Sequence, residues 1–118
     1  MTGTARCLVT LFTLSSVIGQ TVAEPTVRIL TPNVDSCSAY VKSMETNDNP
    51  TLMAGLGGWA LGFLSGVAQG TDKDILRDAK APDLFRQLYS LCKAQPGLPL
   101  SIAAEQMARA LIEVRSRR

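Results

Sequence analysis

From Thr51 to Gln69 the chain reads TLMAGLGGWALGFLSGVAQ, with no charged side chain. At helical spacing this stretch carries two stripes. Leu52, Leu56, Trp59, Phe63 and Val67 recur at i+3 or i+4 and make one apolar face. Ala54, Gly58, Gly62 and Gly66 recur at i+4 and make a second face with almost no side chain. Asn49-Pro50 suits the start of a helix, Asn as N-cap and Pro at the first position, where a missing N–H does no harm. Gly70 is the expected end. Each Gly in a helix interior costs roughly 1 kcal/mol relative to Ala. A row of them implies a compensating contact, and close approach of a second helix backbone is the physical candidate. The stretch therefore reads as the central, buried helix of a small bundle.

A membrane span is the competing reading. About 20 apolar residues cross a bilayer, and GxxxG is a pairing pattern of membrane helices. Here Gly, Ser, Thr and Gln dilute the segment, and its flanks are acidic or mixed (Glu45, Asp48, Asp72, Lys73, Asp74). The Lys/Arg cluster that orients a span is missing. The expectation is no membrane span once the N-terminus is removed.

That N-terminus, residues 1–23, reads as a secretory signal peptide. Arg6 lies in a short leading region, Cys7 to Gly19 is apolar, and Thr21-Val22-Ala23 is a small-residue cleavage site. Cys7 lies at the front of the apolar run, not at its end, so it is a poor lipid acceptor and would leave with the signal. Export then leaves Cys37 and Cys92 from the three cysteines of the chain. In an oxidising compartment an even pair in a small domain points to a disulfide. The alternative is two buried free thiols.

Residues 24–34 read as an extended segment, with two prolines and a β-leaning run too short to specify a sheet. Residues 35–118 read as a helical domain. Asp35 or Ser36 caps a short helix with Cys37, Tyr40, Val41 and Met44 on one side. The stretch from Gly70 to Ala81 is a charged connector. Pro82 and Asp83 open a third helix, whose face holds Leu84, Leu88, Leu91 and Cys92, widened by Phe85 and Tyr89. Gln95-Pro96-Gly97 stops it. The last helix has an inner stripe of Ile102, Ala103, Gln106, Met107, Ala110, Leu111 and Val114. The fold expected is all-α, a small bundle of about four helices with one inter-helix disulfide.

Much chemistry is excluded by composition. There is no histidine, which removes the commonest general base and metal ligand. Asp72 and Asp74 lack the spacing of a calcium loop, and no G-K-[ST] follows the glycines. No catalytic, cofactor-binding or metal site is expected, and the protein does not read as an enzyme. Net charge is +2, too little for nucleic acid, and the only basic cluster is the tail Arg115-Ser116-Arg117-Arg118.

One Cys in a short first helix, Trp59-Ala60-Leu61-Gly62-Phe63 in the long helix, Cys92-Lys93-Ala94-Gln95-Pro96, and Ala103-Ala104 in the last helix follow in order. This arrangement resembles the HdeA/HdeB periplasmic acid-stress chaperone family over nearly all of the chain after residue 23. The resemblance implies a helical fold with the two cysteines joined, and ATP-independent binding of acid-unfolded client proteins. It also implies a homodimer near neutrality that parts in acid and exposes apolar surface. Departures are a pI of about 8.6, a longer connector and a heavier glycine stripe. Gly62-Phe63-Leu64-Ser65-Gly66-Val67-Ala68 is similar to the Gly-aromatic-x-x-Gly-Val core of Tai-type immunity proteins, which neutralise a cell-wall amidase toxin, although the cysteine that family carries at this motif is absent here. A structural envelope protein is the third reading. In the first two, Trp59 and Phe63 with Gly58, Gly62 and Gly66 are the expected contacts with a client, a specific partner or a second subunit. Plain core packing is the alternative for the two aromatic residues. Any acid response must run on carboxylates, and the connector from Asp72 to Asp83 is where paired ones are expected.

Overall fold

The computed structural model describes residues 29–117. The signal peptide expected at residues 1–23 and the start of the extended segment lie outside the described residues. Four helices follow in order: α1 (Cys37–Thr46), α2 (Pro50–Thr71), α3 (Ala81–Ala94) and α4 (Leu100–Ser116). There is no strand among the described residues, so the fold is an all-α four-helix arrangement.

Helix boundaries follow local chemistry. Ser36 caps α1, its side chain accepting from the Ala39 N–H at 3.2 Å. Asn49 caps α2 in the same way, accepting from Leu52 N–H at 3.0 Å, with Pro50 behind it. Helix α2 runs one residue past Gly70. It ends on Asp72 in the left-handed conformation (φ 51°), whose N–H returns to the carbonyls of Ala68 and Gln69. A short polar side chain tolerates that conformation, so glycine is not required. Asp35, the other candidate cap for α1, serves α4 instead. Its carboxylate accepts from the Ser101 N–H and from the Ser101 hydroxyl, each at 2.8 Å. Pro99 gives α4 no side-chain cap of its own, so a residue before α1 supplies it.

The cysteines are joined. The Cys37–Cys92 disulfide holds α1 to α3 with Cα atoms 4.8 Å apart, and both residues are fully buried. Tyr40, 1 % exposed, crosses the same interface and donates its hydroxyl to the Phe85 carbonyl at 3.2 Å. Burial pushes the Tyr40 phenol up to about 12. Leu56, Ala60 and Leu64 of α2, Leu84 and Leu88 of α3, and Ala103, Met107 and Ala108 of α4 complete the core. Ile75 in the connector is fully buried and, with Leu76 packed against the core, anchors a largely charged loop.

Two expected faces are turned from where the pattern put them. The inner side of α4 is Leu100, Ala103, Ala104, Met107 and Ala108, while Ile102 and Val114 are exposed. Alanines let α4 approach closely, and that approach selects the face. Helix α2 is not a central buried helix. Only Leu56, Gly57, Ala60 and Leu64 are buried, and one whole side is open to solvent. It is also long and apolar enough, by length and composition, to cross a membrane.

The disulfide closes a loop with a sequence separation of 55. Chain entropy for such a loop is worth about 4 kcal/mol. The Cys37→Ser/Cys92→Ser double variant should lose most of that in a urea titration followed by circular dichroism. A loss under about 1 kcal/mol would contradict the chain-entropy account.

Candidate functional site

The residues singled out on α2 fall on one side of the helix. At 100° per residue, Thr51, Ala54, Gly58, Gly62, Ser65 and Gln69 share a face, and every one of them is exposed. Gly55 and Gly66 extend it. A Cβ built on Gly58, Gly62 or Gly66 meets nothing within 4 Å. The glycine stripe therefore packs against no helix of this chain among the described residues. The close approach that the glycines implied exists at one position only, Gly57, where an added Cβ would lie 3.0 Å from the Phe85 ring of α3. The doubled Gly57-Gly58 was the visible signal, but periodicity assigned the packing role to its second member.

Trp59 and Phe63 border the glycine face. Their rings stack with centroids 5.6 Å apart and planes inclined by 20°. Both are half-buried and lean on the edge of the core, so they are neither wholly core nor wholly surface. The Trp59 indole N–H donates to the Leu30 carbonyl at 2.7 Å. Sequence periodicity could not show this bond, because its acceptor is a backbone atom of a segment with no pattern. A groove of about 420 Å³ lies between residues 30–34 and the Leu52, Gly55, Leu56 and Trp59 positions of α2. The result is a long uncharged surface: small residues down its middle, stacked aromatics along one margin. The face is uncharged, with Thr51, Ser65 and Gln69 as its polar members.

The charged groups lie elsewhere. Between α1 and α3, Glu45 accepts hydrogen bonds from Lys93 and from the Tyr89 hydroxyl, the latter at 2.7 Å. Lys93 also approaches the Tyr89 ring, 5.9 Å from its centroid. The Lys93 bond, then the Tyr89 bond, hold the Glu45 carboxyl below its ordinary range. Lys93 and Tyr89 are both pushed up, chiefly by their bonds to Glu45. The connector, expected to hold the acid-sensitive pairs, contains the exposed pair Arg77–Asp74, and Arg86–Asp83 follows at the start of α3. Ion pairs this open to solvent contribute about 0–1 kcal/mol each. Three-dimensional proximity of α1 and α3, invisible in one sequence, decides which carboxylate is shifted.

A polar cavity of about 540 Å³ between the connector and the end of α4 is lined by Lys73, Asp74, Arg77, Asp78, Arg115 and Ser116. The Arg115 guanidinium donates to the Arg77 carbonyl there and ties the connector down. Among the described residues no group of three or more His, Cys, Asp or Glu side chains is placed to hold a metal ion. Comparison of the chain with models of protein families, with curated proteins and with solved structures found no match to any.

Two predictions follow from this geometry. Gly57→Leu should destabilise the fold by about 1–3 kcal/mol through overpacking against Phe85. Gly62→Leu should leave the stability of the monomer unchanged or raise it by up to roughly 1 kcal/mol, since within the chain its side chain enters open space and removes a helix-interior glycine. Urea midpoints of the two variants, read side by side, check the contrast; the reverse order would mean that the α2 faces are misassigned.

The second concerns pH. The Glu45 contribution to stability is present above the ordinary glutamate value of about 4.3 and is lost as pH falls through the lower folded value. The Lys93 and Tyr89 contributions are present below their ordinary values near about 10 and are lost as pH rises through the higher folded ones. Glu45→Gln should therefore lower the urea midpoint at neutral pH, and the gap to wild type should close in strong acid. A gap that is the same at both pH values would rule out the carboxylate as its source.

Proposed function

We propose that this is an exported, ATP-independent client-binding protein, which holds acid-unfolded polypeptides on the apolar surface of α2 and acts in the periplasm. The observation that carries the reading is the two-sided character of α2: an open uncharged face outside, and the Leu56, Ala60 and Leu64 stripe inside. The disulfide keeps α1 on α3 under all non-reducing conditions. Helices α2 and α4 are held by packing and hydrogen bonds alone. Loss of carboxylate charge in acid leaves Arg and Lys unbalanced, and like-charge repulsion loosens what the disulfide does not tie. Helix α2 is then the element whose inner stripe becomes available, on a scaffold that cannot fully unravel. At neutral pH the open face of α2 would be covered by a second copy, in a homodimer that parts in acid. No catalysis, cofactor or nucleic acid enters this mechanism.

The stacked Trp59 and Phe63 beside a preformed flat face also suit a partner bound rigidly at neutral pH. An immunity protein that caps a cell-wall amidase toxin is the second reading.

Light scattering of an aggregating client protein at pH 2 and at pH 7 separates them. The client-binding reading expects suppression of scattering at pH 2 and little at pH 7, with binding of an apolar dye rising below about pH 4, where carboxylates protonate. No suppression at pH 2, with the protein still native by Trp59 emission, would favour the immunity reading.

A further inference from the structure

The segment before α1 crosses the margin of α2 without joining the core. Leu30 is 87 % exposed, and Ile29 and Val34 are also exposed. Its apolar side chains therefore gain little from burial, and the groove beneath it keeps about 420 Å³ of open space. What holds it is directional: the Trp59 indole N–H on the Leu30 carbonyl at 2.7 Å. Under it lie Leu52 and Trp59, half-buried, and Leu56, which reaches the core.

We propose that residues 29–34 form a strap over the apolar margin of α2, latched by the Trp59–Leu30 hydrogen bond, and that lifting the strap uncovers the surface on which a client is held. This rests on the client-binding reading above and adds the regulation of its site. The strap has the chemistry of what it excludes. It is a non-helical stretch with Leu30 and Val34 on a backbone that offers a carbonyl to Trp59. An unfolded polypeptide presents the same groups, so it competes with the strap for Trp59 on equal chemical terms. Strap release needs no unfolding of a helix, since Asp35 and Ser36 beyond it stay fixed on α4 and α1.

The test reads the strap directly, in the full chain without client. In wild type at pH 7 the Trp59 indole N–H should exchange with solvent more slowly than a free indole. Trp59→Phe keeps an aromatic ring beside Phe63 and removes the donor. The rate of cleavage after Leu30 by a chymotrypsin-type protease, which tracks the released strap, should then rise roughly two- to tenfold, the factor that one side-chain hydrogen bond of about 0.5–1.5 kcal/mol is worth. Apolar dye binding at pH 7 should rise with it, at unchanged helix content. An indole N–H that exchanges freely in wild type overturns the strap without any variant. So does a folded Trp59→Phe protein with an unaltered rate of cleavage after Leu30. A latched strap in a protein that never protects a client would overturn the client-binding reading and leave the latch standing.

Discussion

Cys37 and Cys92 join the first residue of α1 to the end of α3, and the rest of the molecule is arranged around that bond. The α1–α3 pair carries the buried Tyr40 and the Glu45, Tyr89 and Lys93 group across a single interface. In a domain this short the apolar core alone is modest, and a covalent tie between helices distant in sequence removes much of the entropy of the unfolded chain. Helices α2 and α4 then pack onto a pair that is already fixed. Asp35 completes the closure: placed before α1, it caps α4, and so links the segment before α1 to the start of α4 through one carboxylate.

The position of α2 follows from this. With α1 and α3 bound together, α2 needs only one narrow stripe to dock, and Leu56, Gly57, Ala60 and Leu64 provide it. Gly57 brings α2 against the Phe85 ring of α3. The remaining glycines face outward, where they lower helix propensity and give no packing inside the chain. An uncharged, nearly smooth helix face in solvent is unusual for a surface helix, which normally carries charge there. The binding role proposed above is placed on this face; at the polar cavity by the connector, Asp74 pairs with Arg77 and the Arg115 guanidinium bonds to the Arg77 carbonyl.

Stability against acid is divided between a bond that ignores pH and contacts that do not. The disulfide is indifferent to protonation, whereas Glu45 is held in its charged form by two neighbours. The disulfide ties α1 to α3, whereas α2 and the segment that crosses its margin are held by packing and hydrogen bonds.

Much of the fold was legible in the residues. The uncharged run, Asn49-Pro50 before it, the two prolines that open α3 and end it, and the apolar spacing of α3 state helix number and approximate bounds, because helix caps and periodicity are local properties. The disulfide was legible too, since two cysteines remain after the expected signal peptide. Which face of α2 and α4 turns inward was not. Trp59 and Phe63 are larger than Ala60 and Leu64 and dominate any hydrophobic count, yet close helix approach favours the smaller Ala60 and Gly57. The same holds for the candidate site: its residues could be named, but Leu30 over Trp59, Asp35 on Ser101 and Glu45 on Lys93 join positions far apart in the chain. Local sequence chemistry decides where helices begin and end; only the packing of one helix on another decides which atoms meet.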